Sequence, residues 1–143
     1  MSDFTENPTA ALAAFVADVG GVVVATEPVD GGFPESAWVN TAVTPSGLIV
    51  FGTSKESRKA LNLQSNPKVS LVAVDGQGHE IQAHAEAQVL TGPEAGQAGQ
   101  ALAQAHPGGD PDPATAILVG LSVVWARWVD ATQVPPHAEE ASF

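Results

Sequence analysis

The sequence predicts a mainly β fold, an antiparallel β-barrel of about six strands with three peripheral helices. Three observations predict it. Short runs rich in Val, Ile and Leu are separated by tight turns containing Gly and Pro. There is no internal repeat and no alternating strand–helix–strand rhythm, which argues against a parallel sheet. The chain has 143 residues, 44% hydrophobic and 15% charged, a globular composition sized for one core and too small for two. No linker divides it, so residues 1–143 are expected to form a single domain.

Asn7-Pro8 opens the first helix, a capping residue followed by proline at the first helical position. Ala11, Leu12, Phe15, Val16 and Val19 recur at helical spacing until Gly20-Gly21 stops them. Val22 to Thr26 is a β-branched run and reads as a strand. The loop Glu27 to Glu35 leads to a second strand, Ala37 to Thr44, and Pro45-Ser46-Gly47 turns the chain into a third, Leu48 to Gly52. Thr53 and Glu56 have the spacing of a capping box, which predicts a short helix from there to about Gln64, ended by Asn66-Pro67. Lys68 to Val74 is a strand, Asp75 to Gly78 a turn, and His79 to Leu90 a longer strand. Thr91 and Glu94 repeat the capping-box spacing before an Ala- and Gln-rich helix that runs to about Ala105. After the loop His106 to Pro113, Ala116 to Asp130 is expected as a bent strand or as two strands around Gly120. The segment from Pro135-Pro136 to Phe143 is expected to be a mobile tail.

Composition narrows the function classes. The absence of cysteine excludes disulfides, thiolate-bound metal and a cysteine nucleophile. Sixteen acids against five bases give a net charge of −11, a field that repels phosphate backbones and anionic lipid, so nucleic-acid and membrane-surface partners are not expected. The opening MSDFTENPTAALAAF carries two acids and no base, unlike a secretory signal, and no apolar run reaches the ~20 residues that span a bilayer. A cytoplasmic protein is expected. His79 and His84 are five apart on an expected strand and face opposite sides, while His106 and His137 stand alone in loops, so no metal site is expected. Trp125 and Trp128, three apart, likewise face opposite sides.

The informative feature is where the bases lie. Lys55, Arg58, Lys59 and Lys68 are four of the five, gathered within residues 55–68 of an acidic chain. On a helix starting at Thr53, Lys55, Arg58 and Lys59 share a face in the first turns, where basic residues oppose the helix dipole. Thr53, Ser54 and Ser57 add hydroxyls beside the free N–H groups of that helix start. Such a cluster suits a phosphomonoester; the alternative is a solvated basic face that balances neighbours such as Glu56.

The stretch from Gly47 to Leu71 resembles the pyridoxamine 5′-phosphate oxidase-like family of flavin-binding split barrels, which includes general-stress-type flavoproteins. The resemblance lies in a strand ending at Thr53, then Ser57-Arg58-Lys59, an amphipathic helix, and Asn66-Pro67-Lys68-Val69-Ser70-Leu71. Ala87-Gln88-Val89 and Trp128-Val129-Asp130 are similar to later strands of the family. The resemblance implies a six-stranded antiparallel split barrel that forms a homodimer with FMN at the interface. It implies that Thr53, Ser54, Ser57, Arg58 and Lys59 hold the FMN phosphate, that Asn40 and Thr41 lie against the flavin ring, and that Gln82 or Glu80 approaches it from a neighbouring strand.

Two departures bear on activity. Trp38-Val39-Asn40 stands where the true oxidase has an arginine, and the chain ends in Pro135-Pro136-His137 and acidic residues in place of a substrate-recognising segment with Arg and His. The expectation is therefore an FMN-dependent oxidoreductase acting with a small-molecule electron donor or acceptor, without pyridoxine-phosphate oxidase activity. A non-catalytic flavin-binding protein of stress response, or the same barrel holding a deazaflavin or haem, stands as the alternative.

Overall fold

The computed structural model describes residues 4–109, 112 and 114–143. Of the loop expected over 106–113, Asp110, Pro111 and Pro113 lie outside the described residues. Three helices and eight strands follow one another in the order α1 (Pro8–Val19), β1 (Gly21–Thr26), β2 (Glu35–Asn40), β3 (Ala42–Val43), β4 (Ile49–Ser54), α2 (Arg58–Ser65), β5 (Lys68–Val74), β6 (His79–Val89), α3 (Gly92–Ala105), β7 (Ala116–Asp130) and β8 (His137–Ser142). None of the described helices is long and apolar enough to cross a membrane.

The strands make one antiparallel sheet in the order β2-β1-β5-β6-β7-β4-β3, with β8 also paired to β7. It curls so that β2 approaches β4 without a hydrogen-bonded ladder between them. That unzipped seam is the split of the barrel. Along β6, Ile81, Ala83, Ala85 and Ala87 point inward and Gln82, His84, Glu86 and Gln88 outward, the period of two that a half-buried strand requires. Inside, Phe51, Ile81, Val22, Val24, Val119 and Val16 form the main core, and a smaller cluster of Val50, Leu90, Ala98 and Leu102 lies beneath α3.

Local chemistry explains most boundaries. Asn7 caps α1 by accepting the Ala10 N–H (3.4 Å), and Gly20 closes it at φ 83°, where only glycine is unstrained. Three expectations are corrected. The strand expected over Ala37 to Thr44 breaks at Thr41, whose N–H donates to the Gly20 carbonyl (3.1 Å), so β3 leaves β1 and pairs with β4. The helix expected at Thr53 starts at Arg58: Thr53 and Ser54 remain in β4, opposite Ile117 and Ala116, and Ser57 caps the helix by accepting the Ala60 N–H (3.1 Å). Ladder pairing of a β-branched residue outweighs the capping-box spacing there. Of the two alternatives expected for Ala116 to Asp130, the single strand holds, and Gly120 does not interrupt it. Its irregularity is a bulge between Val123 and Trp125, opposite His84/Ala85. The C-terminal residues expected as a mobile tail form β8, because the far half of β7 offers a free edge. These changes turn the expected six strands into eight.

Thr91 precedes α3 as expected but makes no side-chain cap bond, so Glu94 near the positive helix end is the favourable group there. Gly120 serves packing, since a Cβ there would stand 2.9 Å from Leu48 Cδ2 and 3.1 Å from Leu90 Cδ2. Phe51 is fully buried where β4 meets the core. Phe51→Ala is expected to lower the unfolding free energy by about 3–5 kcal/mol, the range for emptying a buried phenylalanine site. Urea titration against Val134→Ala, at an exposed position, checks it; equal midpoints would contradict this core.

Candidate functional site

The split between β2 and β4 opens into a cleft of about 430 Å³. Trp38 and Asn40 of β2 form one wall, Thr53 and Ser54 at the end of β4 the other, with Lys59 of α2 and His106 at the end of α3 closing it. Strand alternation places Trp38 and Asn40 here, because both point away from the core while Val39 between them points in.

The sequence-derived site residues divide. Asn40, Thr53, Ser54 and Lys59 meet in the cleft. Thr53 Oγ1 and Ser57 Oγ share a hydrogen bond of 2.9 Å, so Ser57 is engaged with both its cap and the cleft wall. Lys59 is half-buried and has no ion-pair partner among the described residues. Arg58 turns elsewhere: its side chain is 84% exposed and donates to Glu35 Oε2 at 2.6 Å. Lys55 lies before the helix and donates to the Ala114 carbonyl (3.2 Å), so the three bases do not share a helix face. Thr41 is buried beside the cleft, with its Oγ1 unpartnered among the described groups and its carbonyl accepting from His106 Nε2 (2.8 Å). Gln82 does not line the cleft. It shares the outer sheet face with Trp38, three strands away along the register Trp38–Val23–Val72–Gln82, roughly 14 Å by ordinary strand spacing. Glu80, hydrogen-bonded to Gln82 (3.2 Å), lies with it.

Sequence reasoning missed two residues of the cleft. His106, read as a lone loop histidine, caps α3 and is fixed by a backbone carbonyl; since that oxygen can only accept, the neutral ring carries its proton on Nε2 and leaves Nδ1 as the acceptor. Trp38 was legible only as a departure from a family pattern. The donor set of hydroxyls, one ammonium without an ion-pair partner among the described residues, and a side-chain amide fits a phosphorylated cofactor with a polar-edged ring.

A second group of titratable residues lies at the start of β6. His79 sits between Asp75 (Nδ1 to Oδ2, 2.7 Å) and Asp130 (Nε2 to Oδ1, 3.5 Å) and stacks on Trp128. Among the described residues no cluster of three or more His, Asp or Glu is arranged to hold a metal ion. Hydrogen bonds from the Thr132 hydroxyl and N–H and from Gln133, with His79 nearby, hold the Asp130 carboxyl down at about 2, against partial desolvation. For Asp75, desolvation pushes upward, but hydrogen bonds from Gln77 and His79 outweigh it and the carboxyl stays below its usual value.

The comparisons agree with this architecture. The model of the pyridoxamine 5′-phosphate oxidase family matches residues 8–129, and the chain belongs to that family. A conserved hypothetical protein of Mycobacterium tuberculosis is 25% identical, with a TM-score of 0.73 over 90% of this chain and 88% of its own. A heme-binding protein of Mycobacterium smegmatis is similar in fold, at 19% identity and a TM-score of 0.74 over 91% of this chain; the match spans only 57% of that protein. A pyridoxamine 5′-phosphate oxidase-related, FMN-binding protein of Nostoc punctiforme, 13% identical, has a TM-score of 0.65 over 95% of each chain. No curated protein matches the sequence.

The Asp130 carboxylate generates a pH prediction. A carboxyl lowered from 3.8 to about 2 on folding contributes stability that is complete above its unfolded value and lost as pH falls through about 2. The thermal midpoint is expected to fall between about pH 4 and pH 2, and Asp130→Asn to flatten that fall. An unchanged slope in the variant would remove Asp130 as its source.

Proposed function

We propose that this protein binds FMN in the seam cleft and is an FMN-dependent oxidoreductase. One observation carries the reading: Lys59, one of five bases against sixteen acids, has no ion-pair partner among the described residues and stands beside the hydroxyls of Thr53 and Ser54, in a cleft that continues to Asn40 and Trp38. Family membership supports it. A terminal phosphate is the anion that several such donors recognise together. When bound, the flavin supplies the hydride chemistry. The protein binds the phosphate through Lys59, Thr53 and Ser54, orients the ring against β2 with the Asn40 amide at its edge, and excludes water from the seam.

The reading includes a homodimer. The outer sheet face carries Val23 and Val72 side by side, a partly apolar surface suited to a second copy that would bring further residues, Gln82 among them, towards a flavin at the interface.

Haem is the second reading, favoured by the acceptor Nδ1 of His106 in the cleft and by the fold shared with the heme-binding M. smegmatis protein. The visible spectrum of the loaded protein separates the two, with a pair of flavin bands against a Soret band.

Lys59→Ala is expected to weaken FMN about tenfold or more and to leave riboflavin, which has no phosphate, unchanged. Arg58→Ala, at an exposed residue tied to Glu35, is expected to change either ligand less than about threefold. Equal affinity of the wild-type chain for FMN and riboflavin would show that the cleft holds no phosphate.

Vitamin B6 oxidation is not part of the proposed activity. It needs a second anion site for the substrate's own phosphate. Arg127, the base outside the 55–68 cluster, pairs with Glu140 of β8 (3.4 Å) and does not line the cleft. Turnover of pyridoxine phosphate by FMN-loaded protein is expected to fall far below an ordinary enzyme rate of about 1 per second; an assay reaching that rate would overturn this exclusion.

A further inference from the structure

Trp38 is held in the cleft in a way that packing does not require. It is 56% exposed, although an indole is among the side chains that gain most from burial. It is nonetheless fixed. A Cβ built on Gly21 would lie 2.2 Å from Trp38 Cζ2 and 2.7 Å from Cε2 and Cη2, so the six-membered ring rests directly on that backbone. Gly21 lies outside the left-handed region, unlike Gly20 at φ 83°, so its backbone does not call for glycine. The space does. The indole N–H donates to Asn40 Oδ1 (3.2 Å), which stops the ring from turning about its long axis. An aromatic plane is thus supported from beneath, pinned at its edge and, among the described residues, left more than half exposed in the cleft that holds Thr53, Ser54 and Lys59.

We propose that Trp38, supported by Gly21 and pinned by Asn40, is the stacking platform for the planar ring of the cleft's ligand, a flat heteroaromatic system joined to a phosphate arm held by Lys59. The inference rests on the flavin reading and assigns the two halves of that ligand to different residues. Stacking recognises the π-face and is indifferent to the phosphate; the ammonium recognises the phosphate and is indifferent to the ring. Trp38 is therefore a positioning and specificity residue that sets which ring lies in the seam and at what height.

The test is titration of the full-length wild type, Trp38→Ala, Trp38→Phe, Gly21→Ala and Lys59→Ala with FMN and with riboflavin. Affinity and flavin emission are read for each, and sedimentation reports the assembly state. Trp38→Ala is expected to weaken both ligands by the same factor, roughly 3- to 10-fold, and to restore flavin emission that the indole quenches. Trp38→Phe keeps a ring face and is expected to recover most of the affinity but not the quenching. Gly21→Ala, which lifts the indole off its support, is expected to weaken both ligands equally with the tryptophan still present. Unchanged affinity and quenching in Trp38→Ala, with Lys59→Ala still losing FMN selectively, would overturn the platform and leave the flavin reading intact. A wild-type chain that binds neither ligand would overturn both. Loss of affinity accompanied by dissociation of a wild-type dimer would assign Trp38 to the contact between copies and overturn the platform.

Discussion

The structure depends on one long strand. β7 runs for fifteen residues and is hydrogen-bonded along one edge to β6 and along the other to β4 and then β8. Among the described residues no other strand pairs with three. Because its first six residues serve β4 and its last six serve β8, the sheet must curl past β4 to bury its inner face, and β2 is carried round to the opposite lip. The seam that results is unzipped because β2 and β4 come together as the two ends of a curl, not as partners in register. A place where two strands face each other without sharing hydrogen bonds leaves room between them, and the cleft occupies that room.

The charge distribution follows from the same geometry. The bases cluster in sequence between residues 55 and 68, but the fold separates them by direction: Lys55 towards the Ala114 carbonyl, Arg58 towards Glu35, Lys59 into the seam. In a chain of net charge −11, an ammonium with no ion-pair partner among the described residues, set between two strand ends, makes a local positive site without long-range attraction for polyanions. That suits a small anion held by short contacts. Asp112, on the same cleft, is turned to accept the Ala114 N–H (2.9 Å) and does not pair with Lys59.

How much was legible before the fold depends on the range of the forces. Helix α1 was readable from Asn7, Pro8 and Gly20 because caps act within a few residues, and β5 and β6 from their alternation, which is equally local. The helix start at Ser57 was misplaced because two hydroxyls, Thr53 and Ser57, each have a capping chemistry, and the choice was made by pairing of Thr53 with Ile117, sixty-four positions away. β8 was unreadable: His137 to Ser142 is polar and lacks a β-branched residue, and its strand exists because β7 presents a free edge and Glu140 can meet Trp125 and Arg127 across it.

The site shows the same division. The hydroxyls and bases at 53–59 were set by the sequence itself, because residue type and short spacing suffice to gather such groups. Which base enters the seam was decided only by the tertiary structure, since it depends on Glu35 lying across from Arg58. His106 joins the cleft because α3 ends where β2 turns into β3, and Trp38 lies flat because β1 brings Gly21 beneath it. Neither contact has a local sequence signal: the register of β1 and β2 sets Gly21 with Trp38, and the docking of α3 against β3 sets His106 with Thr41.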